Sequence, residues 1–320
     1  MSQQHPIVAI TGSAGAGTTT VRHAFSDIFR RQGVAAQFVK GDSFYRYGHA
    51  EMEKRIDESS QRGHPISYFG PEANHFDKLE HIFKQYGKNG SGEMRSYVRD
   101  EADAKRFDLN IGSFTPWHPV EKSTDLLFYE GMHGGVAAHT WTRRKANPAH
   151  LPQGKERRGS GGKGINAAQH VDLLIGVAPA VNLEWIQKIH RDCSRDGCTV
   201  EETTNTILRR MHDYTCFIAP QFALTDINFQ RMPLVDTSHP FMARDIPTAD
   251  ESIVVIHFRD PHKFNFPNLL QCIEGSFMSR PNTMVVPGGK MRLALDVACT
   301  PLIEEMMQNK KPQKRKKASA

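Results

Sequence analysis

A glycine-rich segment that separates an apolar run from a helical pattern constrains this chain more than any other feature. Residues 6–10 have the apolar composition of a buried strand, and residues 21–29 repeat apolar side chains at helical spacing. The segment between them includes Gly12, Ser13, Ala14, Gly15, Ala16, Gly17, Thr18, Thr19 and Thr20. Between a strand and a helix, such glycines let successive backbone N–H groups surround an anion. We therefore predict a loop that binds phosphate groups.

The loop lacks the lysine that phosphate-binding loops usually carry. Thr18 stands at that position, whereas Thr19 keeps the hydroxyl that would hold Mg²⁺. The backbone can still bind phosphates, but the positive charge on the transferring group must come from elsewhere in the chain. A glycine-rich turn without a ligand is the alternative, and the flanking strand and helix favour the loop.

Five apolar segments predict strands and five amphipathic segments predict helices. The predicted strands are 7–11, 37–40, 126–129, 173–177 and 252–258, and the predicted helices are 20–32, 72–86, 183–193, 199–211 and 293–307. The strands are rich in Val, Ile and Leu and largely lack strict alternation, which is typical of parallel strands covered on both faces. We predict an α/β fold with a doubly wound, mostly parallel sheet and flanking helices.

Composition shifts mark the segments outside this core. Prolines and glycines in the stretch 141–168 predict a long loop, and the polar stretch 87–110 is expected to lie outside the core. We predict a single domain over residues 1–308 and a basic, disordered tail over residues 309–320. The net charge of +6 is concentrated in that loop and tail.

Charge and hydropathy patterns exclude several classes of protein. The basic tail has no interleaved aromatic residues, so we expect no specific nucleic-acid partner. No apolar run reaches the length of a membrane span, and residue 1 leads into a strand without a charged-then-apolar leader. The five cysteines show no metal-binding spacing. We expect a cytoplasmic protein with free thiols and no membrane partner.

Three carboxylates lie at or near predicted strand ends, where ligands bind in open α/β sheets. Asp42 follows the second predicted strand, Glu130 follows the third, and Asp192 lies on the helix after the fourth. Glu130 suits a residue that holds Mg²⁺, and Asp42 suits a base that accepts a substrate hydroxyl proton. Each carboxylate alone has the ordinary alternative of a turn or helix-cap residue.

The cations for phosphoryl transfer are expected on the helix that carries Asp192. Lys188, Arg191 and Asp192 have the spacing i, i+3 and i+4, which puts them on one helix face. Lys188 could supply the charge that Thr18 does not. A solvated charged face is the alternative interpretation.

The chain resembles phosphoribulokinases of the bacterial type, which have the P-loop kinase fold. The similar segments are residues 12–20, 41–44, 127–131, 181–188, 220–222, 228–231, 235–238 and 250–252. The segment with Trp185 and Lys188 is the most specific, and the loop of that family also lacks the lysine. The resemblance therefore extends over nearly the whole chain.

The resemblance implies ATP- and Mg²⁺-dependent phosphorylation of the C1 hydroxyl of D-ribulose 5-phosphate to ribulose 1,5-bisphosphate, a step of carbon fixation. Asp42 would be the catalytic base, Lys188 would stabilise transition-state charge, and Asp192, with Glu130, would serve the metal and the transferring group. Arg191 would help to hold the sugar phosphate. The resemblance also implies a homo-oligomer with NADH or AMP as effectors. The implied effector residues are Arg31, Arg209, Arg210 and Arg280.

The chain departs from the family pattern where the sugar phosphate should bind. Tyr45 and His49 stand where the family usually has His and Arg, and Asp196 stands where it has an Arg. Arg195 lies one position earlier and is the remaining candidate cation there. An Arg-to-His change removes most of a fixed charge at neutral pH. His257 stands at an effector-site arginine.

These departures leave three other functions open. The first is a kinase of the same fold that acts on another small sugar phosphate or polyol. The second is a non-catalytic nucleotide sensor, which would have little need of Asp42 as a base. The third is a nucleic-acid-associated NTPase, which depends only on the basic tail.

Overall fold

The computed structural model describes residues 4–13, 17–63, 65–121, 123–140, 164–242 and 245–310. Its strands are β1 (Ile7–Gly12), β2 (Ala36–Lys40), β3 (Glu93–Met94), β4 (His118–Pro119), β5 (Leu126–Gly131), β6 (Leu173–Pro179), β7 (Ile227–Pro233), β8 (Ser252–Phe258), β9 (Phe277–Arg280) and β10 (Thr283–Pro287). Its α-helices include α1 (Thr18–Arg31), α2 (His49–Gln61), α3 (Phe76–Asn89), α4 (Glu101–Phe107), α5 (Val181–Arg195), α6 (Val200–Asp213), α7 (Phe266–Cys272) and α8 (Met291–Gln308).

Eight strands form one sheet in the order β2-β5-β1-β6-β7-β8-β10-β9. The first five strands in this order, β2, β5, β1, β6 and β7, are parallel. Strand β1 lies at their centre, with Ile10 beside Glu130 of β5 and Ile175 of β6. Every residue of β1 is buried, which agrees with its uninterrupted apolar sequence. The predicted mostly parallel sheet is confirmed.

The last part of the sheet is antiparallel. Segment 252–258 is correctly predicted as a strand, but its interpretation as a parallel strand is wrong because β8 pairs antiparallel with β7 and β10. Its side chains alternate in burial, with Val254 and Ile256 buried and His257 exposed. Such alternation is typical of antiparallel strands with one solvated face.

Helices pack on both faces of the sheet, as a doubly wound fold requires. On one face, Val8 and Ile10 of β1 pack in a core with Phe25 of α1 and Leu295 of α8. On the other face, Ile7 and Ala9 pack with residues of α3, including Leu79, Phe83 and Tyr86. Alternate residues of one strand therefore hold two layers of helices.

The predicted helices are all present, with ends that differ by a few residues. The largest shift is in α3, because Pro71 begins a short 3-10 turn and the helix starts only at Phe76. Helices α2, α4 and α7 were not predicted. α2 buries only Met52 and α4 buries no residue, so neither has an apolar face that periodicity can detect.

The segment 87–110 is only partly outside the core. It contains β3 and α4, and Val98 within it is buried. Most of the predicted loop 141–168 and the tail from residue 311 lie outside the described residues, and the single-domain boundary at residue 308 stays a prediction. Within the described part of the chain, no helix has the length and apolar character that a membrane crossing needs.

Candidate active site

The predicted phosphate-binding loop lies between β1 and α1. Gly17 precedes the helix in the left-handed conformation, with φ 91°, which an L side chain rarely adopts. Ser13 is buried, and its hydroxyl lies close to the Glu184 carboxyl. No side chain caps the start of α1, and its first turn has no acidic residue. These features fit a nucleotide phosphate at the helix N-terminus.

Part of that prediction cannot be compared with the structure. Ala14, Gly15 and Ala16 lie outside the described residues, as do the side chains of Thr18 and Thr19. Gly12 ends β1, and Thr20 donates its backbone N–H to the Gly17 carbonyl oxygen at 3.0 Å. The contacts of Thr19 with Mg²⁺ therefore stay a prediction.

A buried glutamine joins the end of β1 to the chain after β5. The Gln221 side chain is fully buried, and its Oε1 accepts hydrogen bonds from the Thr11 hydroxyl and the Gly135 backbone, both at 2.9 Å. Its amide donates to the carbonyl oxygens of Met132 and Phe217. The 220–222 segment that supports the family resemblance thus anchors two strand ends beside the loop.

Asp42 lies directly after β2, in a 3-10 turn, and is nearly fully buried. Its Oδ2 accepts a hydrogen bond from Nε of Arg99 in a close ion pair, while its Oδ1 has no partner among the described residues. The backbone allows this arrangement because Gly41 packs against Gly131. A Cβ on Gly41 would lie 2.9 Å from the Cα of Gly131.

Arg99 is one of the site residues that sequence reasoning missed. It lies in the polar segment 87–110, far from Asp42 along the chain, and nothing in the local pattern indicates the pairing. Asp42 raises the pKa of Arg99, although burial is the largest single effect and acts in the opposite direction. The nearby Glu130 carboxylate acts in the same direction as Asp42.

Three tyrosines form a wall beside Asp42. The rings of Tyr45 and Tyr68 are 4.4 Å apart between centroids, and the Tyr97 ring is 6.0 Å from that of Tyr45. Burial and the Asp42 carboxylate raise the pKa of Tyr45 well above its ordinary value. Tyr45 is therefore a neutral phenol at physiological pH and adds no charge to the site.

Glu130 lies next to the end of β5, in register with Lys40 of β2, so it shares a sheet edge with Asp42. Its Oε2 is 3.6 Å from Nε of Arg22 on α1. No group of three potential metal ligands occurs within the described ranges. Mg²⁺ bound with a nucleotide needs only one or two carboxylates, however, because phosphates and water complete its shell.

Helix α5 brings Lys188, Arg191 and Asp192 together, as their spacing predicts. Nζ of Lys188 forms a close ion pair with Oδ2 of Asp192, and Nε of Arg191 donates to Oδ1 at 3.2 Å. Burial lowers the pKa of Lys188, and the nearby charge of Arg210 lowers it further. The helix face is thus partly buried and cationic, which the solvated-face interpretation does not fit.

Glu184 is a second site residue, after Arg99, that sequence reasoning did not select. It is buried on α5, and its Oε2 accepts a hydrogen bond from the Tyr214 hydroxyl at 3.4 Å. Burial raises the pKa of Glu184 to about 7, against smaller opposing effects of Ser13, Tyr214, Arg191 and Lys188. Glu184 therefore connects the phosphate-loop region with the cationic face of α5.

The predicted sugar-phosphate residues are found in separate ion pairs. Nε2 of His49 is 3.3 Å from Oε1 of Glu53, and both side chains are largely exposed. Nε of Arg195 donates to Oδ1 of Asp196 at 2.8 Å. Each potential phosphate-binding cation thus has a carboxylate beside it in the chain.

The four predicted effector arginines lie on three elements, α1, α6 and β9. Arg31 ends α1 and pairs with Asp296 of α8, whereas Arg280 ends β9 at the edge of the sheet. Arg209 and Arg210 lie on α6, and Arg210 is close to Lys188 and Asp192. Their effector role stays a prediction.

Comparison with known proteins identifies the family of this chain. The sequence profile of the "Phosphoribulokinase / Uridine kinase family" matches residues 7–147 and 157–238. The chain is 47% identical over 312 residues to the phosphoribulokinase of Nitrobacter vulgaris and 50% identical over 312 residues to that of Xanthobacter flavus. Each of these alignments covers 97% of this chain and 99% of the relative.

A solved structure extends the similarity to the fold. The phosphoribulokinase from Rhodobacter spheroides superposes with a TM-score of 0.83 at 45% sequence identity, covering 97% of this chain and 100% of that one. Sequence profile, full-length relatives and fold therefore agree on one family. This chain belongs to the phosphoribulokinase and uridine kinase family.

Proposed function

We propose that this protein is a phosphoribulokinase, which transfers the γ-phosphoryl group of ATP to the C1 hydroxyl of D-ribulose 5-phosphate. The products are ADP and ribulose 1,5-bisphosphate. The observation that carries the proposal is the position of Asp42. Its carboxylate is buried, holds one oxygen without a partner among the described residues, and follows a strand that ends at the sheet edge of the phosphate loop.

Asp42 would act as the general base. The unpaired Oδ1 would accept the proton of the acceptor hydroxyl. The oxygen of that hydroxyl would at the same time form a bond to the γ-phosphorus of ATP. The bond between that phosphorus and the bridging oxygen of ADP breaks, and its electron pair leaves with ADP. Placing the base and the nucleotide at one sheet edge supplies the alignment on which phosphoryl transfer depends.

The cations of α5 would stabilise charge on the transferring group. Lys188 is held by Asp192 and partly buried, so its ammonium acts in an environment where electrostatic interactions are stronger than in water. It would replace the lysine that the loop lacks at Thr18. Mg²⁺ bound with ATP would neutralise phosphate charge, and the residues that would hold it are Thr19, Glu130 and Asp192.

Other parts of the proposal follow from family membership alone. We expect a homo-oligomer that responds to NADH or AMP, and a cytoplasmic location. Gel filtration with light scattering would measure the oligomer, and initial rates with each nucleotide would measure the response.

A second candidate function is a kinase of the same fold with a less anionic acceptor. It is favoured by the local ion pairs of His49 with Glu53 and of Arg195 with Asp196, which compensate two of the charges expected to bind the sugar phosphate. In this case Asp42 and Lys188 keep their roles and only the acceptor differs.

One screen separates the two candidates. ATP turnover is measured with ribulose 5-phosphate, other pentose phosphates and unphosphorylated sugars, and each product is identified by ³¹P NMR. The highest kcat/KM with ribulose 5-phosphate, and formation of the 1,5-bisphosphate, are the expected results. Preference for another acceptor would select the second candidate, and no acceptor-dependent turnover would reject both.

A further inference from the structure

A cleft between α5 and α6 opens beside the expected reaction centre. Its apolar walls include Phe69, Trp185 and Met211. Lys188 and Arg210 also line the cleft. Two cations and the Glu184 carboxyl on largely apolar walls are typical of a pocket with a few polar groups that fix the orientation of a charged ligand.

Arg210 forms no ion pair at contact distance within the described part of the chain, although Asp192 is near enough to interact with it electrostatically. Its Nε is enclosed and has no hydrogen-bond acceptor there, and its guanidinium lies 6.0 Å from the centroid of the Phe69 ring. Burial lowers the pKa of Arg210, and the adjacent charge of Arg209 acts in the same direction. An arginine nonetheless stays charged at neutral pH.

Two other partly buried arginines, Arg231 and Arg95, are hydrogen-bonded by the protein itself. Arg231 donates to the Ser252 hydroxyl and the Pro247 carbonyl oxygen, and Arg95 donates to the Ser43 carbonyl oxygen. Because an unpaired buried charge is costly, native proteins supply it with a partner. The contrast indicates that the partner of Arg210 is an anion from outside the chain.

The neighbours of Arg210 indicate which anion it binds. Lys188 shares the cleft with it, and Asp192, Tyr45 and Tyr68 are near enough to interact with it electrostatically. Tyr45 belongs to the aromatic wall beside the base Asp42. Arg210 is therefore close both to the cations of the transferring group and to the aromatic wall at the base, which favours an acceptor phosphate over a nucleotide phosphate.

We propose that Arg210 binds the phosphate group of the sugar phosphate acceptor in this cleft. The inference rests on the proposed function and assigns Arg210 to substrate binding rather than to the effector role implied by family resemblance. Arg210 would also supply positive charge that the family pattern places at positions 49 and 196, where this chain has His49 and Asp196. Glu184 shares the cleft, and because its pKa is about 7, its protonated form can donate a hydrogen bond to a phosphate below neutral pH.

The first test compares Arg210→Gln with wild type on two acceptors, D-ribulose 5-phosphate and D-ribulose. Loss of a charged hydrogen bond to phosphate should raise KM for the phosphorylated sugar by about ten- to hundred-fold. The corresponding loss with D-ribulose should be absent, and KM for ATP should be little changed. Arg210→Lys should recover part of the loss, because it restores the charge without the planar fork. Arg30→Gln, at an exposed arginine of α1, serves as the charge-matched control.

The second test does not depend on turnover. Calorimetric titration with inorganic phosphate, in the presence of a saturating non-hydrolysable ATP analogue, should give a dissociation constant at least about ten-fold higher for Arg210→Gln than for wild type. If wild type fails to use ribulose 5-phosphate, the proposed function fails, while this titration still tests Arg210.

Three results would overturn the inference. Equal losses with both acceptors would make Arg210 a general structural residue, and a rise in KM for ATP alone would assign it to a nucleotide phosphate. Unchanged constants for acceptor and phosphate, with a changed response to NADH or AMP, would return Arg210 to the effector set.

Discussion

The guanidinium of Arg99 forms an ion pair with the carboxylate of Asp42, although the two residues belong to different parts of the chain. Asp42 is nearly fully buried, whereas the Arg99 side chain is half exposed. The pairing compensates a buried negative charge and leaves the other carboxylate oxygen of Asp42 without a partner among the described residues.

The pair predicts energetic coupling between Arg99 and Asp42. Arg99→Gln should lower the free energy of unfolding by about 1–2 kcal/mol, because the carboxylate loses its partner while solvent screens part of the effect. In the Asp42→Asn background the same substitution should cost much less. Urea unfolding of the four proteins measures the coupling. Additive effects of the two substitutions would show that the pair contributes nothing to stability.

Nucleotide binding should depend on Gly17. A valine there would bring a branched side chain against the phosphates, in a left-handed conformation that strains the loop. Gly17→Val should abolish ATP binding measured by calorimetry. Gly33→Val is a matched control, because Gly33 also has positive φ and open space but follows the opposite end of α1. Normal ATP affinity in folded Gly17→Val would contradict the assignment of the loop.

Lys188→Met should separate catalysis from nucleotide binding. If Lys188 mainly stabilises charge in the transition state, kcat should fall by about two orders of magnitude or more, with little change in the dissociation constant for ATP. Lys54→Met, at an exposed lysine of α2, is the control. A parallel fall in ATP affinity and turnover would make Lys188 a nucleotide anchor instead.

Glu184 predicts a pH dependence of stability. Its pKa is raised from 4.5 to about 7, so the native state binds the proton more tightly than the unfolded chain does. The contribution is therefore complete below about pH 4.5 and is lost as pH rises towards 7. From pH 5 to pH 8, the free energy of unfolding of wild type should fall by up to about 2–3 kcal/mol relative to that of Glu184→Gln. Solvent screening would make this difference smaller. Parallel stability profiles for the two proteins would remove Glu184 from this role.

Much of the parallel sheet follows from local sequence. The strands around β1 are apolar throughout, the glycine-rich loop identifies the first strand–helix unit, and the carboxylates Asp42 and Glu130 follow from their positions at strand ends. The i, i+3, i+4 spacing on α5 likewise predicts the ion pairs of Lys188 and Arg191 with Asp192. These features depend on neighbours along the chain, so a pattern can express them.

The rest depends on contacts between distant segments. Helix α2 is polar over most of its surface and is held by tertiary contacts, so no periodicity predicts it. Arg99 reaches Asp42 only because the 87–110 segment folds back over the end of β2. Burial near the contact of α5 and α6 is what shifts the pKa values of Arg210 and Glu184. The residues next to a charged side chain in the sequence do not predict whether that side chain is buried.

The most direct test of the account is the kcat of Asp42→Asn with ATP and ribulose 5-phosphate. The substitution keeps the shape of the side chain and removes its ability to accept a proton. If Asp42 is the general base, the kcat of Asp42→Asn should be lower than that of wild type by about two to four orders of magnitude, with ATP affinity nearly unchanged. A kcat within a few-fold of wild type would show that Asp42 is a structural turn residue and would contradict the proposed mechanism.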